Sequence, residues 1–146
     1  MSTQANKDLI YRFVEAFNRK DAQGAAALVS EDWTNYDANL PPLPHGPEGA
    51  HQLITLFAQG IPDLQLVVEA MIAEGDLVAS RWTCHGTQTG EFLGIPATGR
   101  SATVTATAVF RVANGKIAEN RVNFDAFGLM VQLGVIPAPG QPAQTM

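Results

Sequence analysis

From Lys7 to Lys20 the apolar side chains recur at helical spacing: Leu9, Ile10, Phe13, Ala16 and Phe17 fall on one side, with Lys7, Arg12, Glu15 and Arg19 largely opposite. The pattern predicts an amphipathic helix with one face on a core. Asp21 is placed to cap a second, shorter helix from Ala22 to about Val29, where alanines give high propensity. Trp33 to Asp37 reads as a short strand, and Pro41, Pro42, Pro44 and Gly46 make the following stretch a loop. Pro47 suits the first position of a third helix, which carries Leu53, Ile54, Leu56 and Phe57 before Gly60 and Pro62 stop it.

Beyond Asp63 the texture turns to strand. Leu64–Ala73 and Leu77–Gly86 are joined by a hairpin-length turn, Glu74-Gly75-Asp76. A glycine-rich connector, Gly90–Gly99, leads to strands Ser101–Val112 and Lys116–Phe124, and Gly128–Leu133 reads as one helical turn. Helices first and a strand meander after predict an α+β fold, with helices against one face of an antiparallel sheet.

The last hairpin separates two faces. A two-residue loop, Asn114-Gly115, would bring Asp125 onto the stripe of Val104, Ala106, Ala108 and Phe110. A three-residue loop with Gly115 left-handed sets Val112 opposite Lys116 and changes the parity. One face then carries Val104, Ala106, Ala108, Phe110, Ala118, Val122 and Phe124, broken only by Asn120. The other carries Thr103, Thr105, Thr107, Val109, Arg111, Glu119, Arg121, Asn123 and Asp125. The second register is preferred because it parts polar from apolar. Periodicity leaves open whether the polar face meets solvent or walls a pocket.

The 146 residues suit one domain. It is expected to span 1–146, ordered over about 5–137, with a flexible tail at 138–146. Charged residues are 16% of the chain, against roughly 25% in typical soluble domains. Such a surface calls for an apolar cavity, a subunit interface or both. The net charge of -5, without any basic run, argues against nucleic acid as a partner. The N-terminal segment lacks the pattern of a secretory leader, and no apolar run approaches the roughly 18 residues of a membrane span, so no membrane association and a cytoplasmic location are expected. Cys84 is the single cysteine and reads as a small buried hydrophobe. His45, His51 and His85 have no chelating spacing, so no metal is expected.

The stretches IPDLQLVVEAMIAEGDLVASRW, GTQTGEFLGIPATGR, FRVANGKIAE and DAFGLMVQLGVIP together resemble the SnoaL-like polyketide cyclases of the nuclear-transport-factor-like superfamily, from about Leu9 to Pro137. The resemblance implies a cone-shaped fold whose curved sheet wraps around helices and encloses a pocket. It also favours the pocket reading of the polar hairpin face. It further implies intramolecular aldol ring closure of a hydrophobic carbonyl compound without metal or organic cofactor, and assembly into homodimers or homotetramers. The family's acid/base aspartate falls on Asp125, at the head of DxxGLxxQLG; local chemistry alone would equally make Asp125 a helix cap. Gln88 stands where the family usually has histidine, and Glu119-Asn120-Arg121 where it commonly has Glu-His-Trp.

Candidate substrate contacts are Asn123, Arg111, Arg121, Phe92 at a pocket rim, Trp33, Asp37 and Gln88. Asp37 reads either as a turn residue or as the second carboxylate of an alternative chemistry, epoxide hydrolysis, which would need an arginine as well. An isomerase, or a small-molecule binder without chemistry, completes the alternatives.

Overall fold

The computed structural model describes residues 2–141. The Ser2 hydroxyl accepts the Ala5 N–H at 3.0 Å and so starts helix α1, Thr3–Asn18, earlier than the apolar pattern alone predicts. Its buried side is the predicted one, Leu9, Ile10, Phe13, Ala16 and Phe17, joined by Val14. Asp21 caps α2, Ala22–Ala26, by accepting the Gly24 N–H at 2.8 Å. Helix α2 stops short of Val29 because the chain there becomes strand β1, Val29–Tyr36, and the Leu28 carbonyl is taken by the Ile117 N–H at 2.9 Å. Helix α3, Pro47–Gly60, has proline in its first turn as expected.

The remaining elements are β2, Gln65–Glu74; β3, Leu77–Thr87; β4, Ser101–Ala113; β5, Lys116–Phe124; and α4, Ala126–Gln132. They build one five-stranded sheet in the order β1-β5-β4-β3-β2. The expected antiparallel sheet is corrected to a mixed one, since β1 runs parallel to β5. The β4–β5 turn leaves one edge of β5 free, and β1 fills it from far away in sequence, a pairing that local pattern does not reveal. No helix among the described residues is long and apolar enough to cross a membrane.

Two bulges set the faces and bend the strands. In β2 the register slips between Val68 and Ala70, so Leu66 and Val68 face the core and then Met71 and Ala73 do, leaving Ile72 68% exposed. In the last hairpin Asn114 and Gly115 both have positive φ, 53° and 76°, and Ala113 pairs with Lys116. The loop therefore has two residues, and the expected three-residue loop is corrected. The parity change comes instead from a slip between Arg111 and Val112: Val112 pairs with Ile117, but Arg111 pairs with Glu119. Ala118 is the extra residue, and its small side chain is buried together with that of Ile117. The two faces are thus those expected, reached by a different turn.

The helices decide which face is inside. The apolar sides of α1 and α3 lie on the face bearing Ala106, Ala108 and Phe110, with Phe13 edge-on to Phe110 at 6.1 Å. The polar face is left to solvent. Asn18 ties the end of α1 to the sheet, its amide exchanging hydrogen bonds of 2.8 and 3.0 Å with the Leu66 backbone. The expected tail is described only in part: the Gln141 N–H donates to the Ala138 carbonyl at 3.0 Å, and residues 142–146 lie outside the described residues.

Candidate active site

A cavity of about 100 Å³ opens between α1, α3 and the inner face of β3–β5, and Leu129 in α4 and Leu133 just after it close one side. Its wall is dominated by carbon: Phe13, Phe17, Phe57, Val104, Ala106 and Val122 are typical of it. The polar side chains that reach it are few, Asn35, Asp37, Gln88 and Asn120, with Cys84 and Trp82 on the β3 side. Sparse polar groups in an apolar hollow are what a site for a hydrophobic small molecule requires.

Asp37 and Cys84 are the titratable groups of this wall among the described residues. Asp37 follows Trp33 and Asn35 at a spacing of two, which keeps it on the inner side of the chain as β1 ends. Desolvation raises its carboxyl above the ordinary carboxylate range, and the Asn39 N–H, donated at 2.9 Å, partly opposes this. The turn role and the cavity position expected as alternatives therefore coexist. Cys84 is buried, and desolvation pushes its thiol up to about 11, so it lines the wall as a neutral group.

The polar hairpin face is not a wall of this cavity. Asn123 and Arg121 are exposed, and Arg111 is partly so. Arg111 donates to Glu119 at 3.2 Å; Arg121 lies 3.7 Å from the same carboxylate and 4.1 Å from the centre of the Tyr36 ring. These groups satisfy one another on the outer surface. Asp125 is exposed as well, and its carboxylate accepts the Gly128 N–H at 2.8 Å to cap α4. Chain parity explains both placements, because odd-numbered positions of β5 beyond the bulge face outward. A hydrolytic site of two carboxylates and an arginine does not form around the cavity, since Asp125, Arg111 and Arg121 are all outside its lining.

Three other expected contacts have different employment. Trp33 is fully buried behind the lining and donates its indole N–H to Asn120 Oδ1 at 3.0 Å. Phe92 is not at a rim; its ring packs 5.2 Å from that of Phe57, beneath the connector and against Gly60, where an added Cβ would come within 2.7 Å of the Phe92 Cβ and 2.9 Å of its ring. Gln88 borders the cavity, but its amide is occupied: Nε2 donates to the Ile95 and Pro96 carbonyls at 2.9 and 3.2 Å, and Oε1 accepts from Thr98 N–H and hydroxyl at 3.1 and 2.8 Å. It staples the connector.

Asn35 and Asn120 were not foreseen as site residues. They are direct partners in the parallel β1–β5 register, and both line the cavity. The signal for Asn120 was present, as the lone polar break in an apolar stripe. For Asn35 it was the two-residue step from a large apolar Trp33.

A family model described as SnoaL-like polyketide cyclase matches residues 7–133. The aklanonic acid methyl ester cyclase DnrD of Streptomyces peucetius is 31% identical over 137 residues, covering 92% of each chain. The cyclase of the same description, DauD, from Streptomyces sp. strain C5 is 29% identical over 130 residues, 87% of this chain and 80% of that one. Among solved structures, TsrD from Streptomyces laurentii superposes with a TM-score of 0.85 at 29% identity, covering 93% of this chain and 99% of its own.

Proposed function

Because the chain belongs to the SnoaL-like polyketide cyclase family, we propose that it closes a ring in a hydrophobic polyketide carbonyl compound, with Asp37 as the acid/base group at the cavity. The observation that carries this reading is that Asp37 is the one carboxylate among the described residues that borders the apolar cavity, and that desolvation raises its basicity. In the aldol step, ionised Asp37 takes a proton from the carbon beside one carbonyl of the substrate. The resulting enolate carbon attacks a second carbonyl of the same molecule, forming the C–C bond. The carbonyl oxygen that becomes alkoxide takes the proton back from Asp37, so the step is balanced within substrate and side chain. Water-poor walls favour this sequence because they spare the enolate from premature protonation.

The test is Asp37→Asn assayed with aklanonic acid methyl ester, the compound class that names the relatives. Turnover is expected to fall by about 10²–10⁴-fold while substrate binding persists. Wild-type turnover in this variant overturns the reading. A second reading, binding without chemistry, is favoured by the inner positions of β4 and β5, where Ala106, Ala108 and Val122 contribute nothing that can move a proton. A ligand that stays bound and unchanged after prolonged incubation with the wild-type chain would decide for it.

A further inference from the structure

Asn120 is 98% buried on the otherwise apolar inner face of β5, since its exposure is 2%. Its orientation follows from chemistry. The indole of Trp33 has a donor and no acceptor, so the amide atom 3.0 Å from it must be the carbonyl oxygen, Oδ1. The NH₂ group is thereby turned away from Trp33, and it finds no acceptor among the described residues. Its neighbour across the strand pair, Asn35, keeps a buried Oδ1 without a partner. Asn120 lines the cavity, and an amide on an apolar wall that leaves its donor unused costs stability that a leucine of similar volume would not. Such a group is retained where something else completes its hydrogen bonding.

We propose that Asn120 is the donor that recognises a carbonyl oxygen of the molecule held in the cavity, and that Trp33 is a positioning residue that locks the amide in its donating orientation. The ligand class is a neutral, hydrophobic ketone or quinone. No lysine or arginine lines the cavity among the described residues, so an anionic oxygen has no charged partner there. The inference rests on the cavity being the ligand site of the reading above, and it does not depend on Asp37 chemistry.

The probe is 1-tetralone, carbon-13 labelled at the carbonyl, compared with tetralin, which has the same ring frame and no oxygen. Binding to the full chain is measured by calorimetry, and the carbonyl stretch of the bound probe by infrared difference spectroscopy. The bound band is expected below its frequency in cyclohexane, the mark of a hydrogen-bonded carbonyl. Asn120→Leu should weaken 1-tetralone roughly tenfold, leave tetralin as tight or tighter, and return the band to its apolar position. Trp33→Phe keeps the ring in the core and frees the amide to rotate; it should weaken 1-tetralone about threefold and broaden the band, which a purely structural role would not do.

An unshifted band in the wild-type chain overturns the proposal, and so does failure of 1-tetralone to bind. An Asn120→Leu variant that keeps both the shift and the preference over tetralin also overturns it, by moving the donor elsewhere, with Trp82 and its unpaired Nε1–H the next candidate. The wild-type measurement decides even where a variant does not fold. Asp37→Asn should keep the shifted band whether or not turnover survives, so the two readings fail separately.

Discussion

Replacing Asp125 by alanine and by asparagine separates capping from chemistry. The carboxylate accepts the Gly128 N–H at 2.8 Å at the start of α4, a helix of seven residues. A helix this short does not hold itself in water, so it depends on its cap and its docking. Docking is strong: Leu129 and Leu133 are buried in the cavity wall, and Gln132 exchanges hydrogen bonds of 2.7 and 2.8 Å with the Thr103 backbone. Loss of the cap should therefore loosen the first turn and leave the helix in place, at about 1 kcal/mol, the usual cost of Asp→Ala at such a position. In a domain of this size that lowers Tm by roughly 3 °C. Asparagine caps as well as aspartate, so Asp125→Asn should unfold within about 0.5 kcal/mol of wild type and turn over substrate at the wild-type rate. Thermal and urea unfolding monitored by circular dichroism give the stabilities, and product formation gives the rate. An Asp125→Asn chain of wild-type stability whose turnover is down by about a hundredfold or more would refute the reasoning, because only proton transfer distinguishes the two side chains.

Gln88→Ala deprives the connector of all four of its amide hydrogen bonds and should cost about 2–4 kcal/mol in urea unfolding, with the loss concentrated in exchange protection of residues 88–99. Gly49→Ala forces a Cβ to 1.8 Å from the Pro44 carbonyl oxygen and 3.0 Å from the Trp33 ring, so it should lower Tm by several degrees or more and disturb the fluorescence of Trp33; an unchanged Tm would show the Pro44 segment to be freely yielding. For Cys84 the unfolded thiol ionises near pH 9.0 and the folded one at about 11, so unfolding releases a proton in that window and stability falls as pH rises through it. The loss approaches about 2–3 kcal/mol by the upper end, and Cys84→Ala should lack that part of the slope; parallel slopes for the two chains would contradict it.

The amphipathic stretches were legible because burial writes a local period: the core side of α1, the proline start of α3 and the parting of β4 and β5 into two faces all follow from spacing within a few residues. Pairing between distant segments was not. Val29 belongs to a strand because it lies beside Ile117, far along the chain, and nothing near Val29 announces this. The same limit governs the choice of face. Spacing divides β5 into Asn120, Val122 and Phe124 against Arg121, Asn123 and Asp125, but the covering helices select the inner set, and they do so through their own apolar sides. Reading the polar set as the pocket wall imported chemistry to a surface that the helices do not cover.

Asp125 shows how one local pattern supports two interpretations. Asp21-Ala22-Gln23-Gly24 and Asp125-Ala126-Phe127-Gly128 share the spacing D-A-x-G, and both aspartates accept the N–H of the glycine three residues on, each at 2.8 Å. Glycine serves the same purpose in both: a Cβ at Gly24 or Gly128 would lie 2.2 Å from the capping carboxylate. Spacing alone makes a cap of either aspartate; only the resemblance adds a catalytic role to the second. In DxxGLxxQLG the aspartate caps α4, the glycine admits the cap, the first leucine and the second fill the cavity wall, and the glutamine clips the helix to β4. Every named position of the motif through Leu133 is then accounted for by holding a short helix over the cavity. Such a motif marks where the cavity is closed, and the polar groups that border the cavity lie elsewhere, with Asn35 on β1, Asp37 just beyond its end and Asn120 on β5.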